Sequence, residues 1–292
     1  MTSNVILNAT LFLRIADGTM KHPTKRILWV FMLDTGDTLW DEETIFTKAQ
    51  TALLSELRKN GIRFASEGAF NLLRKLDDRL IEHYDRFEYD FRALILALIF
   101  FFKGNAEDKS IRRATRLMKE GIPQDLEPIV TSCYNVLRNQ LQTIPRLLRG
   151  VKATLRTLRS KPSVVCLFSE GDCCRIERVI AALTLRKSYD FLYVRKKTER
   201  LYRHALHRAQ ARLRISGKSD LRAMVVGDLL DRDIRIGKKI GAVSVHRLGG
   251  YKPGQRPRNR YEKPDYVIEH IPELVRIVEQ EEKRVHERVS TA

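Results

Sequence analysis

The sequence predicts an α/β fold, a parallel sheet interrupted by a long helical insertion, on three observations. Seven consecutive apolar residues, Ile27 to Leu33, run into Asp34. A run rich in β-branched and aromatic types is how a strand buried on both faces of a parallel sheet is written. From Glu42 to about Arg149 helical periodicity is unbroken by any strand. Beyond Val151, short apolar runs alternate with helical segments, which implies right-handed βαβ crossovers and a sheet covered on both faces.

At 292 residues the chain is about twice the usual domain size, so one large domain or a core with an insertion is expected. Lys and Arg number 54 against 36 Asp and Glu, a net charge of +18 that favours anionic partners without choosing among them. Many arginines recur at helical spacing (Arg112, Arg113, Arg116; Arg208, Arg212, Arg214) and read as solvated helix faces. Cys133, Cys166, Cys173 and Cys174 form no C-x-x-C pair and have no His at zinc spacing. Neither a disulfide framework nor a zinc site is expected, and a reducing cytoplasm fits this usage. The adjacent Cys173 and Cys174 read as small core-filling residues. Val5 to Ile15 carries Asn8 and Arg14 and lacks a basic leading segment, so it does not read as a signal peptide; Met1 and Met20 both stay open as starts. The longest apolar run, Ala93 to Phe102, is ten residues, half of a membrane span, and reads as a buried helix.

In chain order, the strand ending at Asp34 breaks because Asp-Thr-Gly-Asp-Thr cannot continue a buried strand. Phe46, Ala49, Leu53 and Leu57, then Phe70, Leu73, Leu76 and Leu80, keep apolar residues three or four apart. Gly61, Gly104-Asn105 and Gly121 with Pro123 divide this region into four or five helices. Its aromatics Tyr84, Phe87, Tyr89, Phe91 and Phe100 to Phe102 read as bundle core. A helix from Val151 precedes a second buried strand, Ser163 to Phe168, which ends at Ser169. A helix from Cys174 to Leu185, a strand from Phe191 to Val194 running into Lys196 and Lys197, and a helix from Glu199 to about Leu213 come next. His204 and His207 on that helix read as a polar face rather than a metal site. The strand Ala223 to Val226 runs into Gly227-Asp228, followed by a helix from Ile234 to Ile240 and a strand from Ala242 to Val245. A basic, Gly- and Pro-rich loop from Arg247 to Pro264, a strand Tyr266 to Ile268 and a charged helix from Pro272 close the chain. The organisation expected is an N-terminal extension over 1–25, a core over 26–45 and 146–292, and a helical unit over 46–145.

Strand ends thus supply Asp34, Ser169, Lys197 and Asp228 with Asp233. Parallel strands share one carboxyl edge, so these side chains converge on one site. A carboxylate nucleophile, a hydroxyl donor, a cation and carboxylates able to hold a hard metal are what phosphoryl transfer to an aspartate needs.

In these motifs the sequence resembles the haloacid dehalogenase superfamily of hydrolases over about Ile27 to Val278. Leu33-Asp34-Thr35-Gly36-Asp37-Thr38-Leu39 matches the family's first motif except at one position. Leu167-Phe168-Ser169 matches the second, Lys197 (with Lys196 adjacent and open) the third, and Gly227-Asp228 with Asp233 the fourth. The resemblance implies a doubly wound, Rossmann-like core with an α-helical cap inserted after the first motif. It implies Asp34 as nucleophile, Ser169 as phosphoryl-binding and Lys197 as charge-neutralising residue. It further implies Mg²⁺ held by Asp34, the Gly36 carbonyl and Asp228, with Asp233 in support. Gly36 stands where the family's phosphatases carry a second Asp that serves as general acid/base. Loss of that help costs a rate factor of roughly a hundred to ten thousand, and Asp37, one residue away, is a candidate replacement. The function expected is a Mg²⁺-dependent phosphatase of a small phosphorylated metabolite, cytoplasmic, with no membrane partner. A dehalogenase-like hydrolase and an impaired descendant that binds a phosphate ligand or nucleic acid through the basic loop 252–263 are the alternatives. Oligomeric state is not legible.

Overall fold

The computed structural model describes residues 26–85, 89–213, 219–252 and 254–290. The expected extension over 1–25 with its two candidate starts, Phe87 and Arg214 lie outside the described residues. Six strands form one sheet: β1 (Arg26–Asp34), β2 (Ser163–Ser169), β3 (Phe191–Val194), β4 (Ser219–Gly227), β5 (Val243–Arg247) and β6 (Tyr266–Ile268). Every neighbouring pair is parallel, and the spatial order is β3-β2-β1-β4-β5-β6. The order reverses between β1 and β4, which is where a doubly wound sheet opens a crevice at its carboxyl edge.

The central strand explains the two layers around it. Trp29 to Leu33 are fully buried, and alternate residues leave opposite faces of the pleat. Trp29, Phe31 and Leu33 pack with α6 (Val151–Ser160), α7 (Cys173–Ala182) and α10 (Glu273–Ser290), through Leu155, Val179 and Val278 among others. Val30 and Met32 pack on the other face against α8 (Glu199–Leu213) and α9 (Arg235–Lys239), through Tyr202, Ala205 and Ile236. An uninterrupted apolar strand is thereby accounted for residue by residue.

Between β1 and α6 lie α1 (Glu43–Lys59), α2 (Ala69–Tyr84), α3 (Arg92–Phe102), α4 (Glu107–Glu120) and α5 (Glu127–Leu141). They share one hydrophobic cluster that includes Leu53, Leu73, Leu98 and Val130. α3 is apolar on every side because Ala93 to Phe100 are all buried there; no helix among the described residues is long and apolar enough to cross a membrane. The chain leaves and rejoins the sheet at adjacent points: Asp41 N donates to Arg146 O at 2.8 Å and Leu148 N to Leu39 O at 3.0 Å.

Some details differ from the sequence reading. β4 begins at Ser219, four residues before the apolar run, because its polar start pairs in register with Arg26 to Trp29 of β1. A π-helical turn, Leu230–Ile234, fills the run before the short α9, where the sequence reading began the helix only at Ile234. Helix α7 stops at Ala182, and Thr184 takes a positive φ of 57°. Cys173 and Cys174 do not fill the core: both are exposed on the first turn of α7, whose buried face is made by Ile176, Val179 and Ile180. His204, His207, Arg112, Arg113, Arg116, Arg208 and Arg212 are exposed, as solvated helix faces require.

Candidate active site

The carboxyl ends of β1 and β4 place Asp34 and Asp228 side by side across the reversal of strand order. Asp34 is the last residue of β1, and Thr38 Oγ1 donates to its Oδ2 at 2.9 Å. Lys197, three residues past β3, donates from Nζ to Asp34 Oδ1 at 2.5 Å and to Asp233 Oδ1 at 2.7 Å. The two lysines the sequence left open are thereby distinguished, since Lys196 points outward to Asp85. Ligand oxygens of Asp34, Asp228 and Asp233 all lie within 4.8 Å of one another. None of these groups, Lys197 included, exceeds 6% exposure.

Two glycines allow this density. A Cβ on Gly227 would overlap the Asp233 carboxylate, so the π-helical turn can lay Asp233 against the end of β4 only because residue 227 lacks a side chain. Gly250, at φ +81°, would place a Cβ 2.5 Å from Asp228 Oδ2 and 2.8 Å from Asp37 Cβ. The loop after β5 is therefore pressed onto the site, and from it Gln255 Nε2, together with His246 Nε2 of β5, lies 3.0 Å from the Asp228 carbonyl oxygen.

Three buried carboxylates face one ammonium. Burial by itself would discharge Lys197, but the Asp233 and Asp34 carboxylates outweigh it and hold its ammonium well above the usual range. Asp228 is raised well above an ordinary carboxylate, first by burial and then by Asp34 and Asp233. Asp233 is pushed up to about 7 by burial, with Lys197 pulling the other way. The donor set, all carboxylate oxygen with excess negative charge, fits a hard divalent cation.

Ser169 ends β2 and lines the same cavity, and its Oγ accepts from Gly171 N at 3.3 Å. Gly36 lines it beside Asp34. Asp37 lines it too, at φ +53°, but its Oδ1 accepts from the backbone N of Glu42 at 3.0 Å and Glu43 at 2.8 Å, which ties it to the start of α1. Burial pushes this carboxyl up to about 7 against the opposing Glu43 N–H. Of the strand-end residues singled out from the sequence, Asp34, Gly36, Asp37, Ser169, Lys197 and Asp228 thus line one cavity of about 230 Å³, and Asp233 joins them through Lys197.

Sequence reasoning missed the far wall. Tyr89 and Phe91 belong to the bundle core as read from the sequence, and they also line the cavity with Phe46 and Ile81. Asp77 of α2, 3% exposed, accepts from Gln50 Nε2 at 3.1 Å, from Tyr251 OH at 3.0 Å, and from Tyr89 OH. One signal was present: Asp77 is a carboxylate inside the apolar stripe Leu73, Leu76, Leu80, Ile81. Glu42 was also missed; it pairs with Arg175 at 2.5 Å and accepts from Trp40 Nε1 at 2.8 Å.

Comparison with known proteins agrees with this geometry. A family described as HAD-hydrolase-like matches residues 194–274, the segment carrying Lys197, Asp228 and Asp233. The chain is 24% identical over 271 residues to the glyceraldehyde 3-phosphate phosphatase of Pyrococcus furiosus, covering 89% of this chain and 98% of that one. A haloacid dehalogenase-like family hydrolase from Xanthomonas campestris superposes with a TM-score of 0.56 at 16% identity, over 89% of this chain and 94% of the other. The magnesium-bound HAD hydrolase YfnB of Bacillus subtilis does so with a TM-score of 0.53 at 16% identity, over 87% and 99%. The class that sheet and strand-end residues define together is the haloacid dehalogenase-like hydrolases.

Proposed function

We propose that the protein is a Mg²⁺-dependent phosphatase of a small phosphorylated metabolite that works through an aspartyl-phosphate on Asp34. The observation that carries this reading is Lys197 bridging Asp34 and Asp233 inside a buried carboxylate cluster. The relationship to a glyceraldehyde 3-phosphate phosphatase supports the phosphoryl chemistry. Asp34, Asp228 and the Gly36 carbonyl would hold the cation, with Asp233 behind them; bound there, Mg²⁺ supplies positive charge to the phosphoryl oxygens.

The chain's own residues account for the rest. An Asp34 carboxylate oxygen attacks phosphorus while the bond to the leaving oxygen breaks. Thr38, on Asp34 Oδ2, fixes the rotamer of the attacking group. Lys197 offsets the charge of carboxylate and phosphoryl oxygens together, and Ser169 Oγ donates to a phosphoryl oxygen. The departing alkoxide needs a proton, and residue 36 has no side chain to give one. Asp37 is held by the first turn of α1, so protonation by water makes the first step slow by roughly a hundred- to ten-thousand-fold. Helices α1 to α5 act in this reading as a cap that keeps bulk water from the phosphoryl group.

Gly36 also favours a second reading, an impaired descendant that binds a phosphate ligand without turning it over. The nucleic-acid form of that reading is weakened by the basic loop itself, where Lys252 pairs with Asp78 at 3.0 Å and Arg258 with Glu262 at 3.2 Å. A dehalogenase-like reading is weakened by the carboxylates Asp228 and Asp233, which suit a metal. A panel of phosphometabolites with and without Mg²⁺ tests the proposal. Turnover is expected only with Mg²⁺ and only in the wild type, because in Asp34→Asn an amide of the same volume cannot form the acyl-phosphate. Turnover retained by Asp34→Asn would remove Asp34 as the nucleophile.

A further inference from the structure

The cavity is more informative about the leaving group than about the phosphoryl end. Away from the carboxylate cluster its wall is built from Phe46, Ile81, Phe91, Leu141 and Ile176. Two cationic side chains line it, Lys197 and Arg175, and both are committed. Lys197 is held by Asp34 and Asp233. Arg175 pairs with Glu42 at 2.5 Å and donates from Nε to Leu141 O at 2.7 Å. Arg74, a cation behind that wall, is held by both oxygens of Glu43, at 2.7 and 3.0 Å, and stacks on Tyr251. The acidic groups are far more numerous: eight carboxylates line the cavity. At about 230 Å³ the space lies below the ~300–1,000 Å³ of sites for drug-sized ligands.

Resting on the phosphatase reading, we propose that the site takes a compact monophosphate ester whose organic part is apolar and carries no second negative charge, and that it rejects esters bearing a carboxylate or another phosphate. The phosphoryl group meets Lys197 and the cation that the aspartates hold. A second anion at the far wall meets Glu42, Glu43 and Asp77 instead, and both cationic side chains that line the cavity are already paired with carboxylates. Like charges brought together out of water cost several kcal/mol, so rejection by about a hundredfold or more follows. An apolar ring, by contrast, gains from displacing water at Phe46, Ile81 and Phe91.

The test compares benzyl phosphate with 4-carboxybenzyl phosphate, which differ by one carboxylate far from phosphorus. With wild-type protein and Mg²⁺, kcat/KM is expected to favour benzyl phosphate by about a hundredfold. Calorimetric binding of the same two esters to Asp34→Asn with Mg²⁺ is expected to show the same preference in Kd. Equal binding, preference for the carboxylated ester or binding of neither overturns the proposal. Turnover of neither ester by the wild type, with the binding preference intact, fails the phosphatase reading and leaves the leaving-group selectivity standing. Phe46→Arg, which adds a cation to the far wall, is expected to reduce the preference at least tenfold. An unchanged preference in that variant, folded as judged by circular dichroism, overturns the charge argument.

Discussion

Position 36 decides how fast the proposed chemistry can run. Gly36 does not have a positive φ, and a Cβ there would meet Glu42 Cβ and Cγ at 3.5 and 3.6 Å, which is ordinary contact. Gly36→Asp is therefore sterically admissible and is expected to raise turnover of alkyl phosphates by about ten- to a thousandfold, and of p-nitrophenyl phosphate by less, since its leaving group needs no proton. A folded variant with no gain on either substrate would show that the missing acid is not limiting. Asp77 carries a second prediction. Burial pushes its carboxyl above the ordinary range, Tyr89 and Tyr251 pull it back by donating to it, Asp78 raises it and Arg74 lowers it. A carboxyl raised in the folded state holds its proton more tightly there, so its contribution to stability is full below about pH 4 and is lost as pH rises. Asn does not titrate, so the Tm of Asp77→Asn minus that of the wild type should increase between pH 4.5 and 8; a difference that shrinks would reverse the sign of the shift. Asp34 and Asp228 were legible because four strand ends in order carry complementary polar groups, whereas a single Asp after a strand equally suits a helix-capping turn. Lys197 was not separable from Lys196, because a strand end fixes a neighbourhood in sequence but not which of two adjacent side chains turns inward.

Among the elements, the loop after β5 and helix α2 hold the two halves of the cavity together. Tyr251 OH reaches Asp77 at 3.0 Å, and Arg74 stacks 4.5 Å over the Tyr251 ring. Tyr251→Phe removes one donor from a buried carboxylate and is expected to cost about 1–2 kcal/mol in urea unfolding. The neighbouring Lys252–Asp78 pair, about a third exposed on both sides, is expected to contribute under ~1 kcal/mol. Neither contact could be read in advance, since they join residues more than 170 positions apart and no periodicity encodes that distance. The π-helical turn was hidden for another reason: five residues are too few for a helical period to show in the sequence. Strand existence, by contrast, was plain, because each run is apolar and stops at a polar residue.

At the scale of the molecule, a chain of net charge +18 encloses a cavity lined by eight carboxylates and two cations. The basic excess lies outside, on faces such as that of α4 with Arg112, Arg113 and Arg116 exposed. Overall charge was thus a poor guide to the site. A cation that binds only the folded state stabilises the whole fold, so Mg²⁺ at a hundred times its Kd should raise the melting temperature by about 5–10 °C. Asp228→Ala should show no such shift in a thermal scan; an equal shift would place the metal elsewhere. Alternation of strand and helix made the parallel sheet legible, but not its order, because alternation constrains handedness and leaves open which side of β1 each new strand joins.

The same order has a consequence for how the chain is made. The central strand, β1, is synthesised before either of its neighbours: β2 begins at Ser163 and β4 at Ser219. At roughly 5–20 residues per second, β4 is complete about 10–40 s after Asp34 has been added. Until β2 is complete at Ser169, about 7–27 s after Asp34, seven consecutive apolar residues have no ladder to join. One edge of β1 stays open until β4 arrives, while α1 to α5 meet mostly local partners and can assemble first. The middle of the finished sheet is therefore the part of the nascent chain that waits longest for shelter, and β1 is the segment a chaperone would have to cover.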